Sequence, residues 1–320
     1  MPEKAQIRHQ VEFETERRAT MGTIALVAGA LLLAGTVVTL VASGSQPQTG
    51  LLQGFGPLLH GQANPRVSPR YELVQFYNSH AAQLIGASVA AAFGFVGLAG
   101  VIHFLSGAVR FRRPESMRAA GPIVLYVPPM LGLVSVGAQV SQAILAHKFL
   151  HGHNFDNHAA DHALGHAPVT IALGSVSLFL GLVLLVGLGN TSLNAMRTGL
   201  ITRGMGYVGM FVAVFVLLGF GPIGEIVPGL WMLALGAGLH GVYPRKDPPA
   251  WATGLSVPWP TLSEERELRE QERIVQERGG KGKAAAEDDD VAPEPVPVGK
   301  SSQSGGSRSK RRKGRGGSRR

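Results

Sequence analysis

Residues 204–240 read GMGYVGMFVAVFVLLGFGPIGEIVPGLWMLALGAGLH. How this block is divided decides the fold. As one helix its 37 residues would span about 55 Å, far more than the roughly 30 Å of a bilayer's hydrocarbon core. The run Gly219-Phe-Gly-Pro-Ile-Gly-Glu225 breaks it in the middle, and Pro228 adds a second breaker. Two short spans, 204–220 and 226–242, joined by a tight hairpin at 221–225, are therefore expected; one broken span with a re-entrant piece is the alternative.

Working outward, four further apolar blocks have spanning length: 21–42, 79–109, 120–146 and 167–189. A cleaved signal peptide competes for the first. Its apolar core would be too long and its head carries four acids, so an uncleaved span is expected. Pro122, Pro128 and Pro129 should kink or delay the third. Tyr71, Phe76 and Tyr77 resemble a belt of interfacial aromatics ahead of the second. Residues 190–203 read as a short polar turn.

Charge follows the same division. Of 30 Lys and Arg, 17 lie after Pro244, as do 12 of the 21 acids, leaving the first 244 residues poor in charge. If the amino terminus is inside, the short inner segments (1–20, 110–119, 190–203) hold ten basic residues and the outer ones three. The expectation is an all-α membrane protein: a six-span helical bundle in the cell membrane, with both termini inside. Its parts are a cytoplasmic segment 1–20, the membrane domain 21–242, a juxtamembrane Pro/Trp segment with a charged helix at 243–278, and a disordered basic cytoplasmic tail at 279–320. The tail composition cannot bury a core.

The chain has no cysteine, which excludes disulfides, thiolate nucleophiles and Cys-based metal sites. Any metal must use His, Asp, Glu or backbone oxygen. Six of eleven histidines fall in residues 147–166, HKFLHGHNFDNHAADHALGH. His158, His162 and His166 follow an i, i+4, i+8 spacing, and His147 with His151 forms a second i, i+4 pair. Side chains one helical turn apart can reach one ion. These five histidines are thus candidate ligands for zinc, copper or nickel, with Asp161 orienting an imidazole. The plain alternative is a hydrophilic outer loop that binds no metal and only titrates with pH. A haem bridging His80 and His103 is disfavoured, because the two lie roughly 34 Å apart on one helix.

Glu225 is the only acid in the last apolar block. It reads either as an exposed hairpin residue or as an ion or proton site, since an acid at a helix break in the membrane is costly unless used. The last 21 residues carry nine basic groups and no acid. They would bind anionic lipid headgroups, RNA or ribosome, or an acidic protein; the lack of aromatics argues against base reading. No catalytic constellation is present, and a non-enzymatic role is expected. Two readings follow: handling of a divalent transition metal by the histidine-rich loop, as transporter, accessory or sensor, or a membrane scaffold whose tail is the working part.

Overall fold

The computed structural model describes residues 4–47, 70–116, 120–218, 222–242 and 248–259, with a few positions between 264 and 274. Among these residues every regular element is helical. In chain order they are α1 (Lys4–Ser43), α2 (Tyr71–Ser79), α3 (Ala81–Arg112), α4 (Ala120–Leu150), α5 (Asn157–Asp161), a π-helical turn (His162–His166), α6 (Pro168–Thr198), α7 (Arg203–Leu218), α8 (Pro222–Leu239) and α9 (Pro249–Thr253).

The six long helices close into a ring. α1 packs on α3, α3 on α4, α4 on α6, α6 on α7, α7 on α8, and α8 returns to α1; α3 and α6 also meet across the ring. α1 and α8 run in opposite directions, since Gly22 meets Gly236 while Gly29 meets Gly229. The seam between first and last helices is built on glycine. A Cβ on Gly29 would lie 2.8 Å from the Gly229 carbonyl oxygen, and one on Gly236 would lie 2.9 Å from the Gly22 oxygen. Gly22 and Gly29, like Gly229 and Gly236, are seven residues apart, so they recur on one face. Backbones approach this closely only where side chains are absent, which is how helices associate in lipid.

Among the described residues, four helices are long and apolar enough to cross a membrane: those at Lys4–Ser43, Ala81–Arg112, Leu125–Leu150 and the one ending at Thr198. α7 and α8 are shorter apolar helices. The outside of the ring is apolar as well: Val27, Val41, Phe93, Leu133, Phe179, Val186, Phe211 and Leu230 are all exposed. A continuous surface of this kind is matched to hydrocarbon rather than water.

Three boundaries differ from the sequence reading. First, residues 4–20 and 21–43 form one unbroken helix. Second, α6 runs to Thr198, so most of the expected 190–203 turn is helical. Its polar side chains bond back to their own helix: Thr191 to the Gly187 carbonyl, Asn194 to that of Asn190 and Thr198 to that of Asn194. That satisfaction lets them be buried. The turn shrinks to 199–202 and starts at Gly199, with φ 79°. Third, Pro128 and Pro129 lie inside a continuous α4. The described positions between Glu264 and Ile274 are helical and exposed, while residues after Gly279 and the hairpin centre at 219–221 lie outside the described residues.

Candidate functional site: a polar cavity between the six helices

Glu225 is neither in a hairpin nor on the outer surface. It sits in the first turn of α8, because the helix starts at Pro222, where a proline's missing N–H costs nothing. Its carboxylate Oε2 accepts a hydrogen bond from the Thr36 hydroxyl of α1 at 3.3 Å. Thr36 is fully buried and also donates to the Leu32 carbonyl at 2.8 Å, so its proton is shared between two acceptors.

The carboxylate faces a cavity of about 310 Å³ to which all six long helices contribute. Thr39 comes from α1, Ser88 from α3, Ser135 and Gln139 from α4, Ser177 from α6, Phe215 from α7 and Glu225 from α8. Glu225 is the only ionisable residue among those lining it. The Thr39 and Ser88 hydroxyls bond to the carbonyls of Gly35 and Leu84, which leaves their lone pairs toward the space. The side chains of Ser135, Gln139 and Ser177 make no hydrogen bond among the described residues. One carboxylate ringed by hydroxyl and amide oxygens suits a hard or borderline cation, or a proton.

The cavity occupies the half of the ring nearest the histidine stretch. The other end is closed. There Arg112, at the end of α3, donates to both carboxylate oxygens of Glu14 at 2.8 and 2.7 Å and to the Ala250 carbonyl at 2.8 Å. Both side chains are almost wholly buried. Trp251 of α9 stacks on Phe104 with ring centroids 5.7 Å apart, and its indole N–H donates to the Leu200 carbonyl at 2.9 Å. The Arg18 and Arg112 guanidiniums lie 5.5 and 5.6 Å from that ring. Trp251 thereby plugs this end of the bundle. Nothing in the pattern of residues 1–20 singles out Glu14 from its neighbouring acids.

The histidine stretch caps the open end. His147, His151, His158, His162 and His166 are all exposed. The rings of His147 and His151 lie 4.0 Å apart. The i, i+4, i+8 stripe does not persist, because residues 162–166 take a π-helical turn and Gly165 has φ 153°. His166 turns its Nδ1 to the Asp161 carbonyl at 3.4 Å, and the Asp161 carboxylate pairs with Arg70 rather than with an imidazole. Among the described residues, no three His, Asp or Glu side chains converge on a point that could hold a metal ion. Asp156 caps α5: its carboxylate accepts from the Ala159 N–H at 2.7 Å and from Asn154 at 3.0 Å. These bonds, with nearby His158, hold its pKa below the ordinary value.

Comparison with known proteins brings no relative: no family model, no curated protein and no solved structure matches the chain. The functional reading therefore rests on the site.

Proposed function

We propose that this is a multi-pass cell-membrane protein in which all six long helices cross the bilayer, and that the cavity at Glu225 binds a small cation or proton. The single observation carrying this reading is a lone carboxylate in a polar space walled by every helix of the ring. A charged group in that position is expensive in lipid and persists where it is used. The open half lies beside the histidine stretch and the closed half at the Glu14–Arg112 clasp, an arrangement suited to a carrier or sensor loaded from one side. The basic residues 110–113, Arg197 and Arg203 gather at the clasp end, which favours that end as cytoplasmic. α7 and α8, about 24 and 27 Å long, fall slightly short of the hydrocarbon layer, a mismatch that local thinning accommodates.

Labelling with dicyclohexylcarbodiimide, an apolar reagent for protonated carboxyls, tests the binding. Intact-mass analysis should show a label at Glu225 that disappears in Glu225→Gln and is suppressed by sodium, potassium or zinc. A label that no cation and no rise in pH suppresses would overturn the reading.

A second reading is capture of zinc, copper or nickel by the histidine stretch, favoured by the closeness of the His147 and His151 rings, 4.0 Å apart between centroids. It requires the stretch to close around the ion. Replacing His147, His151, His158, His162 and His166 together by Ala should then abolish saturable zinc binding while Glu225→Gln leaves it. A scaffold role predicts that neither variant changes any binding.

A further inference from the structure

At the clasp end, outside the bundle core, lies a cleft of about 500 Å³ lined by Arg113, Met196, Arg197, Arg203, Tyr207 and Pro258. Three guanidiniums converge there and no acid lines it. Arg113 and Arg197 make no ion pair among the described residues, in contrast to Arg112, the residue before Arg113, which turns inward to Glu14. Three like charges facing one space repel each other unless an anion sits between them.

The cleft is built into the fold. Its far wall, the segment after α9, is pinned by a bond from the Val257 N–H to the Thr198 carbonyl at 3.2 Å. Arg203 donates to the Trp259 carbonyl at 2.9 Å. Gly199 permits this approach: a Cβ there would lie 1.9 Å from the Val257 oxygen. Arg203 also opens α7, so the positive end of that helix's dipole lies at the rim, with Tyr207 one turn further on.

We propose that this cleft binds a phosphate group. Guanidiniums meet phosphate oxygens through paired, charge-assisted hydrogen bonds, which fixes orientation as well as charge. The Tyr207 hydroxyl adds a neutral donor. The group can be carried by a phosphomonoester lipid headgroup or by a soluble phosphate, and the chemistry at the three arginines is the same.

Native mass spectrometry of the full chain titrated with phosphatidate, phosphatidylcholine and inorganic phosphate tests this. The protein should bind phosphatidate at least about tenfold more tightly than phosphatidylcholine, equivalent to roughly 1.4 kcal/mol. Arg113→Gln/Arg197→Gln/Arg203→Gln should erase the preference. Arg197→Glu should weaken it without disturbing the fold, because that exposed side chain holds nothing in place. Replacing Lys310, Arg311, Arg312 and Lys313 by Gln should leave the preference intact. Displacement of phosphatidate by millimolar inorganic phosphate identifies a soluble source, and resistance to it identifies the lipid. A preference that survives the triple variant, or that is lost with the tail substitutions instead, overturns the proposal.

Discussion

Arg112 and Glu14, 98 residues apart in the chain, form a two-pronged ion pair with almost no solvent exposure, and it joins α1, α3 and α9 at one end of the ring. Gln10 donates to the same carboxylate at 2.8 Å. A pair desolvated this far contributes little net stability beyond an apolar pair, but losing one partner strands the other's charge.

Glu14→Ala and Arg112→Ala should each therefore cost about 3–5 kcal/mol. The double variant Glu14→Leu/Arg112→Met should recover most of that loss. Thermal unfolding in nanodiscs, followed by tryptophan fluorescence, measures both. Additive losses in the double variant would show that the two side chains act independently.

The glycine seam makes a paired prediction. Gly29→Ala places a methyl 2.8 Å from the Gly229 oxygen and should loosen the contact of α1 with α8, lowering the melting temperature. Gly107→Ala, which meets nothing within 4 Å, should be neutral or slightly stabilising, by up to about 1 kcal/mol of helix propensity. Equal effects at the two positions would mean that the seam is not close-packed.

Asp156 supplies a pH dependence whose sign is fixed by its hydrogen bonds. Its folded pKa is lowered, so its contribution to the cap is present above the ordinary value of 3.8 and is lost as pH falls through the lower folded value. The Ala159 amide proton should shift with a midpoint below 3.8, and Asp156→Asn should remove that titration. A midpoint at or above 3.8 would contradict the cap.

The absence of cysteine allows the cavity to be probed from either side with single introduced thiols. Ser135→Cys should react with a membrane-impermeant thiol reagent added on the side of the histidine stretch. Val212→Cys, at a fully buried position, should not react from either side. Labelling of Ser135→Cys only from the clasp side would contradict a cavity open toward the histidine stretch.

The parts legible in the sequence are those governed by length and composition. The apolar blocks mark the long helices, and the Gly/Pro run at 219–222 marks the division between α7 and α8. Glu225 stood out as an acid in an apolar block, but its position was not legible. Four residues of difference in where α8 begins, Pro222 rather than 226, separate a solvent-exposed turn from a first helical turn facing Thr36. Glu14 was hidden because an acid among alternating charges resembles a solvated face, and its partner is distant in sequence. The Thr191–Thr198 run looked like a turn because back-bonding to carbonyls leaves no mark on composition. The histidine spacing assumed a regular helix, and the π-helical turn with Gly165 removes that regularity.

The central claim is that Glu225 is the working group of the cavity. It is tested most directly by flux into proteoliposomes with an entrapped pH-sensitive dye and a parallel zinc-sensitive dye, comparing the native chain with Glu225→Gln. The account predicts ion entry with the native chain and a fall of at least about tenfold with Glu225→Gln, the loss of one charged ligand being worth roughly 1.4 kcal/mol or more. Thermal stability should stay close to native. Equal flux through the two proteins would contradict it.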